Sequence, residues 1–192
     1  LYHDIGKMEN PAFFTENQLG GINPHKKLSY EESAQIVISH IRDGLKLADK
    51  SNLPQAIKDF ISTHHGCGKT RYFYISWKNE HPGEEPDEEL FTYPGPNPFS
   101  KETAILMMAD SVEAASRSLP EYTEESISQL VDKIIDTQVA EGYFKNCPIT
   151  FLDIATIKEV FKNKLMTSYH TRISYPELKS PTSRRKRPQA GQ

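Results

Sequence analysis

Residues 29–50 read SYEESAQIVISHIRDGLKLADK, and this stretch decides the fold. Ser29 followed by Glu32 is a capping-box pattern, in which each side chain satisfies the other residue's backbone N–H where a helix begins. Ala34, Val37, Ile38, Ile41, Leu45 and Ala48 then recur in steps of three and four, so they share one face of a helix over about 29–50. His40 falls in the middle of it.

The same grammar continues outward. After the break at Asn52-Leu53-Pro54, Ile57, Phe60, Ile61 and His64 fall at i, i+3, i+4 and i+7, and Gly66 stands where a helix stops. Residues 66–99 differ: an aromatic cluster (Tyr72, Phe73, Tyr74, Trp77), an acidic run from Glu84 to Glu89 and the turn-rich Tyr93-Pro94-Gly95-Pro96-Asn97-Pro98 predict a long loop holding one short helix. Ser100 caps a further helix with Ile105, Met108, Val112 and Ala115 as its stripe, and Asp110 interrupts an apolar stretch there. Thr123 opens a helix with Ile127, Leu130, Val131, Ile134 and Gln138 on one face, and Thr150-x-x-Asp153 opens another carrying Ile154, Ile157, Phe161, Leu165 and Tyr169. Alternating strand patterns are scarce, so the fold class is all-α. A single domain is expected over 1–178, followed by a basic, disordered tail over 179–192.

Composition narrows the function. Hydrophobic residues make up 36%, and no apolar run approaches the eighteen or more residues of a membrane span. The two cysteines, Cys67 and Cys147, form neither a disulfide framework nor a CxxC pair, which with the lack of a signal segment points to a soluble, cytoplasmic setting. Residues 1–178 hold 18 basic and 26 acidic side chains, a formal −8, because five basic residues lie in the tail. Such a body is a poor partner for duplex nucleic acid, and an anionic substrate would need metal ions to supply local positive charge. The chain opens on Leu1 rather than Met, two residues ahead of His3-Asp4, which points to a longer parent protein.

The chemistry concentrates in His3-Asp4, in His64-His65 at a helix end, and in His40 and Asp110 inside helices. Imidazole and carboxylate together suit Zn, Mn and Fe, and five or six such groups can hold two ions, with a carboxylate such as Asp4 bridging them. A water held between two ions loses a proton readily and becomes a hydroxide able to attack phosphorus. Singly, each residue has an ordinary alternative: a helical His is commonly a surface or hydrogen-bonded side chain, and an interior Asp a cap or ion pair. Adjacent helical residues point about 100° apart, so His64 and His65 can ligate together only near a helix end.

His3-Asp4-Ile5-Gly6-Lys7 resembles the signature of the HD superfamily of metal-dependent phosphohydrolases, and His40, His64-His65-Gly66 and Asp110 within Met108-Ala109-Asp110-Ser111-Val112-Glu113-Ala114 follow in its order. Within that superfamily the chain resembles the cytoplasmic domain of PgpH-type, seven-transmembrane HD proteins, which hydrolyse cyclic di-AMP. The strings that carry this are Phe13-Phe14 with Glu16-Asn17-Gln18, Asn23-Pro24-His25-Lys26-Lys27-Leu28-Ser29, Tyr72-Phe73-Tyr74, Tyr93-Pro94-Gly95-Pro96, and Tyr169-His170 with Arg172.

The resemblance implies an HD-type helical bundle and two divalent transition metals, iron or manganese, sharing Asp4. One ion would take His3, Asp4 and Asp110, and the other Asp4, His40, His64 and His65. The family pattern adds a histidine upstream of the HD pair, so the first half-site is expected to be incomplete within this chain. The implied activity is hydrolysis of cyclic di-AMP to the linear dinucleotide by a hydroxide bridging the metals, in a cytoplasmic domain joined to a membrane through an N-terminal portion. The alternatives are another HD nucleotide phosphohydrolase, acting on nucleoside phosphates or cyclic di-GMP, and a catalytically weak nucleotide-binding module. Lys7 is the candidate phosphate contact beside the catalytic Asp4. Tyr72 and Tyr74 are substrate-stacking candidates, with local packing the equal alternative, and Phe73 is read as packing. His25 is expected in a turn, His81 exposed, and Cys67 small and buried.

Overall fold

The capping box closes as the pattern requires: Ser29 Oγ accepts from the Glu32 N–H at 3.1 Å, and Glu32 Oε2 from the Ser29 N–H at 2.9 Å. In the computed structural model, which describes residues 1–14 and 23–170, helix α1 runs Tyr30–Lys50. It buries Ser33, Ala34, His40, Ile41, Gly44 and Ala48, so of the expected apolar positions Ala34, Ile41 and Ala48 are buried and Val37, Ile38 and Leu45 are half-buried. The succession is α2 (Gln55–Thr63), α3 (Arg71–Glu80), α4 (Lys101–Ser116), α5 (Glu124–Ala140) and α6 (Phe151–His170). Among the described residues the only β pairing is one isolated antiparallel bridge, Lys69 with Thr92, so the protein is all-α. No helix among them is long and apolar enough to cross a membrane. The tail 179–192, residues 171–178, and the Glu16-Asn17-Gln18 and Arg172 positions lie outside the described residues.

Two apolar clusters hold the bundle. The larger joins α4, α5 and α6 through Met107, Met108, Val112, Ile127, Val131, Ile135 and Ile157. The smaller packs Ala34 of α1 against Trp77 of α3 and Phe91. The loop expected over 66–99 thus contains a ten-residue helix whose Phe73 and Trp77, four apart, lie on the side turned toward α1. On α4 the buried stripe is Ala104, Met107, Met108, Val112 and Ser116, whereas Ile105 is 38% exposed. That stripe departs from the expected one because α4 is gripped by α5 and α6 on one side and by α2 on another, and a single apolar stripe cannot express both contacts. On α5 the same effect buries Ile135 completely and leaves Ile134 at the margin.

Candidate metal centre

His3 and Asp4 sit on a turn leading into a single 3-10 turn, Ile5–Met8, which lies directly on α1. Glycine makes that contact possible: a Cβ on Gly6 would stand 1.9 Å from the carbonyl oxygen of His40 and 2.5 Å from the Gly44 nitrogen. The HD turn is therefore pressed onto the turn of α1 that carries His40. His64 and His65 arrive from the end of α2. That helix stops at Thr63, His64 keeps helical angles as its C-cap, and Gly66 turns the chain at φ +54 with its N–H on the Thr63 carbonyl. Leaving the helix lets the adjacent rings come together, with centroids 4.1 Å apart. Asp110 reaches in from α4.

Asp4 is the hub. Its Oδ1 lies 3.5 Å from Nε2 of both His40 and His64, which are themselves 3.2 Å apart. Its Oδ2 lies 3.2 Å from His3 Nε2 and 2.9 Å from Lys7 Nζ. Asp110 closes the other side, 3.5 Å from His3 Nε2 and 3.9 Å from His65 Nδ1. Two overlapping groups result, Asp4 with His40, His64 and His65, and His3 with Asp4 and Asp110, each with its ligand atoms within 4.8 Å of one another.

The donor set fits a cation. His40 Nδ1 donates to the Val37 carbonyl at 2.6 Å and His64 Nδ1 to the Ile61 carbonyl at 2.9 Å. A carbonyl only accepts, so these partners assign the proton to Nδ1 and leave each neutral ring a lone pair on Nε2. Two such lone pairs and a carboxylate oxygen then converge in a buried place, an arrangement that repels itself unless a positive ion stands between. Burial drives the His40 pKa down to about 4, although the Val37 bond works against it, so the ring is neutral and ready to ligate near neutral pH. Burial pushes the Asp4 carboxyl up, but the hydrogen bond from His3 and the neighbouring Lys7 ammonium overcome this and hold it well below the carboxylate range. His3 goes the other way: hydrogen bonds to Asp110 and then Asp4 outweigh burial and raise it to about 9.

A cleft of about 1420 Å³ opens over this cluster, lined by His3, Asp4, Lys7, His40, His65 and Asp110. Tyr72 stands on its wall, 74% exposed. Tyr74 does not line it: its hydroxyl donates to Glu88 at 2.9 Å and its ring packs edge-on to Phe91, because the helical turn of α3 aims Tyr72 and Tyr74 to different sides. Phe73 combines packing with a place on the cleft wall, against the His25 ring. His25 occupies the expected turn, its N–H on Asn23 Oδ1, and belongs to neither metal group. His81 is half-buried, stacked on Trp77, rather than exposed, and Cys67 is exposed rather than buried. The sequence strings contain Gly6 and Tyr93 but assign them no role, and they give none to the Val37 and Ile61 carbonyls. A signal for the carbonyls exists, since a helical histidine can meet the carbonyl three residues behind.

A carboxylate shared between a three-histidine group and a second group of one histidine and another aspartate, on an all-helical frame, is the pattern of an HD site, and residues 1–115 match the HD domain family, to which the chain belongs. Its similarity is to one branch. It is 42% identical over 179 residues to the cyclic-di-AMP phosphodiesterase PgpH of Listeria monocytogenes serotype 1/2a (strain 10403S), covering 93% of this chain and 25% of that protein. The PgpH of Bacillus subtilis (strain 168) is also 42% identical, over 176 residues, with 92% and 24% covered. The crystal structure of the L. monocytogenes phosphodiesterase PgpH HD domain superposes with a TM-score of 0.81 at 41% identity, covering 88% of this chain and 78% of that one. The same domain in complex with cyclic-di-AMP gives 0.82, with the same identity and coverage. The chain spans about a quarter of the length of the curated relatives it matches.

Proposed function

We propose that the chain is a metal-dependent phosphodiesterase domain that hydrolyses cyclic di-AMP to the linear dinucleotide pApA. The observation that carries this is the buried convergence of the His40 and His64 lone pairs on Asp4 Oδ1, with Asp4 shared by a second group containing His3 and Asp110. Two divalent ions, iron or manganese, suit that donor set. One would be held by Asp4, His40, His64 and His65, the other by His3, Asp4 and Asp110. When bound, such a pair supplies Lewis-acid polarisation of a phosphodiester and a water acidic enough to attack phosphorus at neutral pH.

The chain's own residues do the rest. Lys7, on the cleft wall with its ammonium 2.9 Å from Asp4, offers a compact positive charge to a non-bridging phosphate oxygen in an otherwise acidic body. Tyr72 presents a ring on the cleft wall on which adenine can stack. Water adds across the P–O3′ bond, and the ribose 3′ oxygen leaves with a proton as a hydroxyl. The names of the relatives, and the cyclic-di-AMP bound to one of them, support this substrate. The family resemblance further suggests a domain on the cytoplasmic face of a membrane protein.

The test loads the chain, alone and extended upstream of Leu1, with Mn²⁺ or Fe²⁺ and follows cyclic di-AMP, cyclic di-GMP and mononucleotides by chromatography. Conversion of cyclic di-AMP to pApA is expected. If the metal-loaded protein degrades none of them, the hydrolase reading fails.

A further inference from the structure

The three histidines of the fuller metal group are not held alike. His40 and His64 are each tethered through Nδ1 to a backbone carbonyl of their own helix, which sets the ring orientation. His65 makes no such bond among the described residues; its Nδ1 faces Asp110 at 3.9 Å. Its ring is held by faces instead. His64 tilts against it at 43°, and Tyr93 stacks on it, with centroids 4.3 Å apart and planes 23° from parallel.

Tyr93 is placed there by its backbone. Its N–H donates to the Gly68 carbonyl at 2.8 Å, and Thr70 N–H donates to the Phe91 carbonyl at 2.8 Å, so residues 91–93 are laced to 68–70, immediately after His65. The side chain is only 8% exposed, yet its hydroxyl makes no hydrogen bond among the described residues, and Tyr93 lines the metal-centre cleft. That hydroxyl is not sealed off, so on the cleft wall it is open to donate to a bound anion.

We propose that Tyr93 does two things at this site: its ring positions His65 by stacking, in place of the missing carbonyl tether, and its hydroxyl donates a hydrogen bond to an anionic phosphate oxygen of the substrate. The first half concerns the metal group alone. The second rests on the phosphodiester reading above.

Two variants separate the halves. Tyr93→Phe keeps the stacked ring and loses the donor, while Tyr93→Leu loses both. Mn²⁺ affinity, followed by the electron paramagnetic resonance of the free ion, is expected to fall at least about tenfold in Tyr93→Leu and to stay near wild type in Tyr93→Phe. The KM for cyclic di-AMP is expected to rise about tenfold in Tyr93→Phe, as for a lost bond to a charged oxygen. Circular dichroism checks folding, and Tyr93→Met replaces Tyr93→Leu if the latter does not fold. Wild-type Mn²⁺ affinity in the variant lacking the ring, or equal metal loss in Tyr93→Phe, overturns the positioning role. An unchanged KM in Tyr93→Phe overturns the donor role. If the wild-type protein turns over no cyclic di-AMP, the phosphodiesterase reading and the donor role fall together, and the Mn²⁺ measurements still decide the positioning role.

Discussion

His3 lies between two carboxylates, and the raised pKa of about 9 has a direct thermodynamic meaning. Its pairing with Asp110 and Asp4 contributes stability in full below the ordinary value of 6.5, and that contribution is lost as pH rises through about 9. A metal ligand must give up this proton. Metal binding near pH 7.5 should therefore release close to one proton from His3, measured by titration calorimetry in buffers of different ionisation enthalpy; no buffer dependence would mean His3 stays outside the coordination sphere. His40 has the opposite sign: with its pKa lowered to about 4, protonation costs stability progressively as pH falls from 6.5 toward 4. His64 is fully buried with Nδ1 on the Ile61 carbonyl, so His64→Ala should cost about 1–3 kcal/mol for the stranded carbonyl. It should also remove metal and turnover while the helical circular dichroism persists, and full activity in that variant would show that another group does the ligating.

At the scale of elements, the site is an agreement between one turn and the ends or middles of three helices. The HD turn meets α1 at Gly6 and Gly44: Gly6 has no room for a side chain, and a Cβ on Gly44 would fit only tightly, 3.1 Å from Ile61 Cγ2 and 3.3 Å from the Gly6 nitrogen. Gly6→Ala should separate the turn from His40, destabilising the fold by about 1–3 kcal/mol in urea unfolding and weakening metal binding in parallel. Normal metal affinity in that variant would mean the turn is free to move without disturbing the ligands. The α1 cap is a separate matter. Ser29→Ala removes the acceptor for the Glu32 N–H and should cost about 1 kcal/mol, with metal affinity unchanged, because the cap lies three turns from His40. Capping boxes, helix-period stripes and the α2 stop at Gly66 are legible in the sequence, since each is a local pattern. The buried faces of α4 and α5 are legible only in outline. Ile105 and Ile135 exchange importance with their neighbours because helices on more than one side compete for the same residues.

For the whole molecule, the candidate metal groups bring the N-terminal turn, α1, the end of α2 and α4 together around one carboxylate, while α5 and α6 pack against α4. Ligands that bind only the folded state stabilise it by mass action, so Mn²⁺ at about a hundred times its Kd should add roughly 2.7 kcal/mol. A melting temperature that rises with Mn²⁺ and returns to its starting value with chelator is the expected result. A temperature indifferent to both would argue against a preformed site. On the proposed function, the same convergence would let an acidic chain take an anionic substrate, with positive charge delivered at one point beside Lys7 rather than spread over the surface.

The sequence by itself determined the helical class, the cap of α1 and the helix end that frees His64 and His65, and it named the six residues that lie together in the two candidate metal groups. These are local patterns or ordered motifs, readable one segment at a time. Only the tertiary structure decided that Asp4 is the atom-by-atom hub, that Tyr72 reaches the cleft and Tyr74 does not, and that Tyr93 stacks beneath His65. The reason is physical: distances across 28 residues, as from His65 to Tyr93, depend on how separate elements pack, and no periodicity within either segment encodes that.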